Sequence, residues 1–280
     1  MSSKRLPPVI IVGSGAVGTA LALALHKHRY PVLTVVSKSG RSARRLGRRI
    51  HSSYGRLRSL ALPKSGGIIF LAVPDDEIRS AANLLSQQQI DFSRSIVFHC
   101  SGALVSDELA ELKKKGASVG SFHPLQTFVR RSSSSDNLRG IWIGIEGDRA
   151  AIARGEHIAK DIGAHSLVLS RKQKVLYHIA AVFSSNYLVT LLSVVEELGT
   201  RIRLPQRKVV TIFKPLILES ISNVNRLTAA GSLTGPIARG DLRTVRKHRA
   251  ELNKRGLGRI SLLYDALAKA TVHLASKRRP

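Results

Sequence analysis

Four side chains stand where acid–base work on a carbonyl-like group could be done. His123 precedes Pro124, which biases it to extended backbone at a strand end, and an imidazole there can relay a proton to a carbonyl oxygen. Ser101, in His99-Cys100-Ser101-Gly102, can donate to a carboxamide or a substrate oxygen. His178 and Asn186 belong to an apolar helical stretch in which positions 178, 182 and 186 recur every four residues and so share a face. An apolar helix carries an imidazole and an amide only if something bonds them, whether substrate or a neighbouring helix. Further on, the polar loop Leu233 to Asp241 offers Thr234 and Arg239 for the anionic end of a substrate, with Asp241 as a helix cap. His99 reads as structural, and Cys100, with no clear base partner, as packing.

Such residues need a scaffold that delivers them to one edge, and the amino-terminal stretch indicates which. Val9-Ile10-Ile11-Val12 is a buried strand, followed by Gly13-Ser14-Gly15-Ala16-Val17-Gly18 and the small, apolar residues of a packed helix. Gly13 turns the backbone, Gly15 leaves room for a pyrophosphate, and Gly18 lets helix and strand close up, with the helix start holding the phosphate charge. At the end of the second strand, Val32 to Val36, an acidic residue would mark NAD. The sequence instead has Ser37, Lys38 and Arg41, hydroxyl and cations suited to a 2′-phosphate, so NADP is the expected cofactor. The arginines at 44, 45, 48 and 49 read equally as a solvated helix face. Ligands in a parallel sheet sit beyond the carboxyl ends of the strands, so Ala72, Val73 and Pro74, after the strand from Gly67, should flank the cofactor.

The pattern continues with strands at Ser95 to His99, Ala117 to Phe122, Ile141 to Ile145 and Ser166 to Leu169, and with helices at Asp107 to Lys115 and Ala150 to Ile162. Ser132 to Ser135 reads as a loop. After Arg171 the β signal stops and four helical patterns follow: Lys172 to Gly199, Gln206 to Thr228, Asp241 to Lys254 and Leu257 to Ser276. The expectation is an α/β, Rossmann-type parallel sheet domain over residues 1–170, followed by an all-α domain over 171–280.

With 45 Lys and Arg against 18 Asp and Glu, the net charge is +27. That field attracts nucleic acid, acidic membranes and anionic small molecules alike. The basic residues are spread along the sequence, no nucleic-acid motif accompanies them, and aromatics are 5%. An anionic cofactor and a small anionic substrate are the plainer account. Cys100 is the one cysteine, so a disulfide framework and a cysteine metal cluster are excluded and no metal is expected. No signal peptide is visible, and the apolar run Ile179 to Val195 carries Ser184, Ser185, Asn186 and Tyr187, which reads as a buried core helix rather than a span. A cytoplasmic protein is expected.

The glycine-rich turn, the His-Cys-Ser-Gly at 99–102, Gly120 to Phe128, Tyr177-His178 with Ser185 to Leu188, and Thr234 to Asp241 together resemble one family. Its members join a Rossmann-like NADP-binding half to a helical domain of long-unassigned function. The family is similar to the 6-phosphogluconate dehydrogenase-like superfamily, which includes ketopantoate reductase, pyrroline-5-carboxylate reductase and 3-hydroxyisobutyrate dehydrogenase. The resemblance implies an NADPH-dependent reductase, a helical domain completing the site, and a homodimer through that domain. The Gly-Ser-x-His-Pro segment also resembles one in prephenate dehydrogenase whose histidine contacts the reacting hydroxyl, which points to His123. His178 and Asn186 lie where some relatives have Lys and Asn, so lysine-type acid catalysis is not carried over. The function implied is reduction of a small anionic keto acid or imine, ketopantoate first. The alternatives are a non-catalytic NADP sensor and a charge-driven nucleic-acid binder.

Overall fold

The computed structural model describes residues 6–38, 40–57, 66–128 and 134–277. Its contacts divide the protein into two compact units, Met1–Ser185 and Asn186–Pro280.

The first unit is built on one eight-stranded sheet. Its strands are β1 (Val9–Val12), β2 (Val32–Val36), β3 (Ser53–Gly55), β4 (Ile68–Leu71), β5 (Ile96–His99), β6 (Ser118–Pro124), β7 (Trp142–Gly147) and β8 (His165–Val168). Across the sheet they run β3-β2-β1-β4-β5-β6-β7-β8. The reversal of order at β1/β4 opens the crevice in which doubly wound sheets bind their ligands. β1 and β4 are buried at every residue, as strands covered on both faces must be, which is why they read as unbroken apolar runs.

Helices α1 (Ala16–Lys27), α2 (Arg41–Arg49) and α5 (Arg149–Asp161) and helices α3 (Asp75–Ser86) and α4 (Ala110–Lys114) are the crossovers. Side chains alternate along each strand into two cores. One holds Ile11, Leu21, Val35, Leu46, Phe70 and Ile158, the other Ile10, Val12, Ile69, Leu85, Val97 and Leu112. Under the central strands Phe70 and Phe98 stack at 5.4 Å, and Phe122 meets Phe70 edge-on at 5.3 Å. Each such pair contributes about 1 kcal/mol beyond its burial, and the three hold β4, β5 and β6 in register below the edge where their last residues emerge.

Two features depart from the sequence reading. The sheet is not wholly parallel, because β6 and β7 pair antiparallel, His123 opposite Gly144. The described part of their connection holds only a 3-10 turn, Ser135–Leu138, and without a crossover helix the backbone returns alongside itself. The edge strand β3 is the second, since Ser-Tyr-Gly carries little strand signal. Of the serine run expected as a loop, Ser132 and Ser133 lie outside the described residues, and Ser134 caps the 3-10 turn.

Helix α6 (Lys174–Val182) groups with the first unit, which runs to Ser185. The reason is Lys174, which is buried against the carboxyl edge of the sheet. Phe183–Tyr187 is a π-helical turn leading to α7 (Leu188–Arg201). The expected alignment of 178, 182 and 186 assumed unbroken α geometry; the extra residue in the π turn shifts the phase between His178 and Asn186 and removes that argument.

In the second unit α7 is followed by α8 (Gln206–Arg226), α9 (Ala229–Ser232), α10 (Leu242–Lys254) and α11 (Gly258–Ala275). Gly199 lets α7 and α8 approach, since a Cβ there would stand 2.5 Å from Val209 Cγ1. Arg249 to Asp265, at 2.7 Å, and His248 to Tyr264, at 3.0 Å, tie α10 to α11. Asp241 caps α10 as expected, accepting from the Thr244 amide at 3.0 Å. The run Ile179 to Val195 is not the buried core helix that its composition suggested. The helical span Arg171–Arg201 is long and apolar enough to cross a membrane by length and composition, and none of its most apolar window is buried within the protein.

Candidate active site

The glycine turn has the sterics of a dinucleotide cradle. Gly13 has φ +101°, and a Cβ there would stand 2.2 Å from the Ala72 carbonyl oxygen. A Cβ on Gly18 would fall 1.9 Å from the Gly13 oxygen, so only glycine lets α1 close onto β1. Gly15 is the opposite case. Nothing lies within 4 Å of the Cβ it lacks, and the helix it begins is capped by no side chain. Helix start and open space together make a place for a phosphate. Ala16 and Val17, partly buried, continue the turn into α1.

At the end of β2 the hydroxyls of Ser14, Ser42 and Ser37 form a relay, 2.7 Å from Ser14 to Ser42 and 3.2 Å from Ser42 to Ser37. Ser37 also accepts from the Ala43 amide. Lys38 reaches Glu77 at 3.2 Å from an exposed position, and Arg41 opens α2 with its side chain in solvent. Ala72, Val73 and Pro74 follow β4, partly buried or exposed, and lead into α3, whose first turn is acidic at Asp75, Asp76 and Glu77.

Two strands away, β5, β6 and α6 bring a second group together. Because α6 turns every 3.6 residues, Lys174, Tyr177 and His178 fall on one face. That face meets the ends of β5 and β6. The Tyr177 hydroxyl lies 2.9 Å from His123 Nδ1. A Cβ on Gly102 would stand 2.6 Å from His178 Nδ1 and 2.9 Å from His123 Nε2, so the two rings flank a slot that only glycine leaves open. His178 Nδ1 is itself buried and, among the described residues, has no hydrogen-bond partner. Burial, then Lys174 and His178, lower the pKa of His123 to about 4, so its ring is neutral near pH 7. Burial alone raises Tyr177 to about 12 and keeps it a phenol. Among the described residues His123 is the one hydrogen-bond partner of that hydroxyl. When the phenol donates to Nδ1, the ring's own proton sits on Nε2, toward Gly102.

Lys174 is the residue that sequence reasoning missed. Its side chain is 0% exposed, and Nζ donates to the Ser101 carbonyl at 2.9 Å and to Ser121 Oγ at 2.6 Å. Ser121 in turn donates to the same carbonyl at 3.2 Å. Burying an ammonium costs several kcal/mol unless charge and hydrogen bonds offset it. Burial lowers its pKa to about 8, with Glu146 and Asp75 acting against the shift from a distance. The only hint in the sequence was its position three and four residues before Tyr177 and His178, hidden in the basic run Arg171 to Lys174.

Ser101 follows β5, and its hydroxyl is hydrogen-bonded within the protein. It donates to Asp75 at 2.7 Å and accepts from the amides of Ala103 and Leu104, bonds that hold the turn after β5. His99 is fully buried, accepts from the Ser101 amide at 3.2 Å, and is held neutral by burial and by Lys174, its pKa near 3. Burial pushes the Cys100 thiol up to about 12, consistent with packing rather than attack. Asn186, Thr234 and Arg239 lie in the second unit with exposed or partly exposed side chains. Among the described residues no cluster of three or more His, Cys, Asp or Glu could hold a metal.

No curated protein matches this one by sequence. Among solved structures it is similar to TM1727 from Thermotoga maritima (26% identity, 97% of this protein and 100% of that one, TM-score 0.72). It is similar also to BF3122 from Bacteroides fragilis, a candidate NADP oxidoreductase (21%, 96% and 99%, TM-score 0.79). A third is the imine reductase from Myxococcus stipitatus, solved with NADP+ (14%, 96% and 94%, TM-score 0.67). One family model, a Rossmann-like domain, matches residues 1–124, and a second, a domain of unknown function (DUF2520), matches residues 141–271. The protein is thus similar to a Rossmann-like domain over its first 124 residues and to the DUF2520 domain over 141–271, and it shares its fold with these solved structures.

Proposed function

We propose that this protein is an NADP(H)-dependent oxidoreductase acting on a small anionic keto acid or imine, with ketopantoate the preferred substrate on family resemblance. The observation that carries the reading is the open space at Gly15 where α1 begins, beside the hydroxyls and cations that end β2. Gly13 to Gly18 would hold the diphosphate, Ser37, Lys38 and Arg41 the 2′-phosphate, and Ala72 to Pro74 would border the nicotinamide. A bound dinucleotide supplies or accepts the hydride. The protein supplies the proton: His123 Nε2 faces the Gly102 slot, and Tyr177 fixes the tautomer that puts a proton there. Asn186, Thr234 and Arg239 remain proposed substrate contacts from the second unit.

The protein is proposed to act as a homodimer through its helical part. Leu216, Leu218, Ile221 on α8 and Val189, Leu191 on α7 expose large apolar surface, which favours a protein partner. Cover by a second copy would also account for the apolar window of Arg171–Arg201 without a membrane, and a cytoplasmic location accords with that.

Calorimetry with NADPH, NADP+ and NADH, followed by NADPH absorbance in the presence of keto acids and cyclic imines, tests the reading. The expected result is binding with a preference for the phosphorylated dinucleotide and turnover of one substrate class. Absence of heat with either oxidised or reduced dinucleotide overturns it, and binding without turnover favours the sensor. Light scattering at several concentrations reads the dimer.

A further inference from the structure

We propose that the bond reduced at this site is a carbonyl, or oxidised as the matching secondary alcohol, and not a C=N bond. The inference rests on the oxidoreductase reading and adds to it the charge of the reacting group. At the Gly102 slot α6 contributes the imidazole of His178, and next to it stand the Tyr177 phenol, bonded to His123, and the buried ammonium of Lys174, bonded to the Ser101 carbonyl. β6 contributes His123, and the β5 end contributes His99 and the Cys100 thiol, all uncharged near pH 7.

Two carboxylates are within electrostatic reach of Lys174, and both are committed elsewhere. Asp75 on α3 accepts the Ser101 hydroxyl at 2.7 Å. Glu146 on β7 is buried, accepts the amide and the hydroxyl of Ser106 at 2.8 Å each, and has the Arg171 guanidinium at 3.6 Å. No carboxyl group among the described residues is within 4.0 Å of Lys174 Nζ or hydrogen-bonded to either slot histidine. Beside the slot, then, stand the neutral rings of His123 and His99 and an ammonium that no carboxylate among the described residues pairs directly.

That field distinguishes the two chemistries. When hydride adds to a carbonyl carbon, the C=O π pair moves onto oxygen, and negative charge grows where the His123 N–H points. The proton that balances it comes from Nε2, the Tyr177 proton moves onto Nδ1 so that the ring stays neutral, solvent reprotonates the phenolate, and the dinucleotide is oxidised from NADPH to NADP+. A neutral imidazole is a competent donor to such an oxygen, and an ammonium behind it favours the developing charge. An iminium arrives positive and loses its charge on reduction, so the same ammonium opposes its binding.

The test uses the full-length protein with histidine ring C–H resonances followed by NMR, with and without NADP+. Oxalate stands for the anionic oxygen-rich ligand, pyrrolidinium for the cationic nitrogen ligand. Oxalate is expected to shift His123 and His178 saturably, pyrrolidinium to move neither, and Lys174→Gln to weaken oxalate about tenfold or more, with Lys174→Arg recovering part of the loss. If Lys174→Gln does not fold, the contrast between the two probes in the unaltered protein decides alone. Tighter binding of pyrrolidinium, no shift with oxalate, or turnover of cyclic imines in preference to 2-oxo acids overturns the proposal. A missing dinucleotide heat instead overturns the oxidoreductase reading, whatever the two probes do.

Discussion

The Tyr177 hydroxyl sits 2.9 Å from His123 Nδ1 and joins helix α6 to the end of strand β6. The rings cross at 90° with centroids 5.6 Å apart, so the contact also fixes the plane of the imidazole. The donor proposed at Nε2 requires this bond to run from the phenol to Nδ1.

Tyr177→Phe removes the bond and keeps the ring. Both imidazole tautomers then become populated, and turnover is expected to fall about 10- to 100-fold, the lower part of what loss of a positioned proton relay costs. Stability should drop by only about 1 kcal/mol, one net hydrogen bond. Nitrogen-15 shifts of His123 check the tautomer directly; an unchanged Nε2–H form in the variant would show that Tyr177 does not set it.

The glycine turn predicts a split between folding and binding. Gly18→Ala puts a methyl 1.9 Å from the Gly13 oxygen and should destabilise the first unit by more than about 3 kcal/mol or prevent folding. Gly15→Ala meets nothing within 4 Å and should leave stability within about 0.5 kcal/mol. The new methyl occupies the space assigned to phosphate, so NADPH affinity should fall at least about tenfold, near 1.4 kcal/mol. Urea midpoints and calorimetry on the same two samples separate the outcomes. A Gly15→Ala protein that binds NADPH as tightly as the parent places the diphosphate elsewhere.

How far these arguments could be read from the sequence alone depends on whether a feature is local. The β1 turn was legible because a strand buried on both faces needs a continuous apolar run, and the three glycines that follow it stand within six residues of one another. His123 and His178 could be singled out, but their meeting across Gly102 is tertiary and left no trace beyond the glycine itself. Lys174 was illegible for a different reason. A lysine in a run with Arg171 and Lys172 reads as solvated, and only the folded protein shows that the helix turns this one inward. The π turn at Phe183–Tyr187 contains neither Gly nor Pro, so nothing local announced that the spacing from His178 to Asn186 would change.

Lys38 and Arg41 predict cofactor choice. Both are exposed at the end of β2, and Lys38 is engaged by an exposed ion pair with Glu77. Such a pair is worth less than about 1 kcal/mol, so the ammonium can be redirected to a 2′-phosphate at little cost. Replacing either residue by alanine should weaken NADPH about tenfold and leave NADH within about twofold. The NADPH loss should shrink as salt rises. Equal losses for both dinucleotides would remove these cations from the 2′-phosphate role.

The buried histidines predict how stability responds to acid. His99 and His123 titrate near 3 and 4 in the folded protein and near 6.5 when it is unfolded. Above about pH 6.5 both states hold the rings neutral and the full stability is present. As the pH falls below that value the unfolded state takes up two protons that the folded one refuses, so stability declines with falling pH. Each histidine contributes a slope of up to ~1.4 kcal/mol per pH unit until its folded pKa is reached. His123→Asn should therefore remove about half of the histidine slope between roughly pH 6 and 4 while leaving the curve above pH 7 parallel to that of the parent. Urea unfolding at half-unit pH intervals measures the difference between the two proteins, in which the carboxylates common to both cancel. Parallel curves throughout would mean that His123 is already protonated in the folded state at pH 6, and the neutral donor assigned to the Gly102 slot would be lost with it.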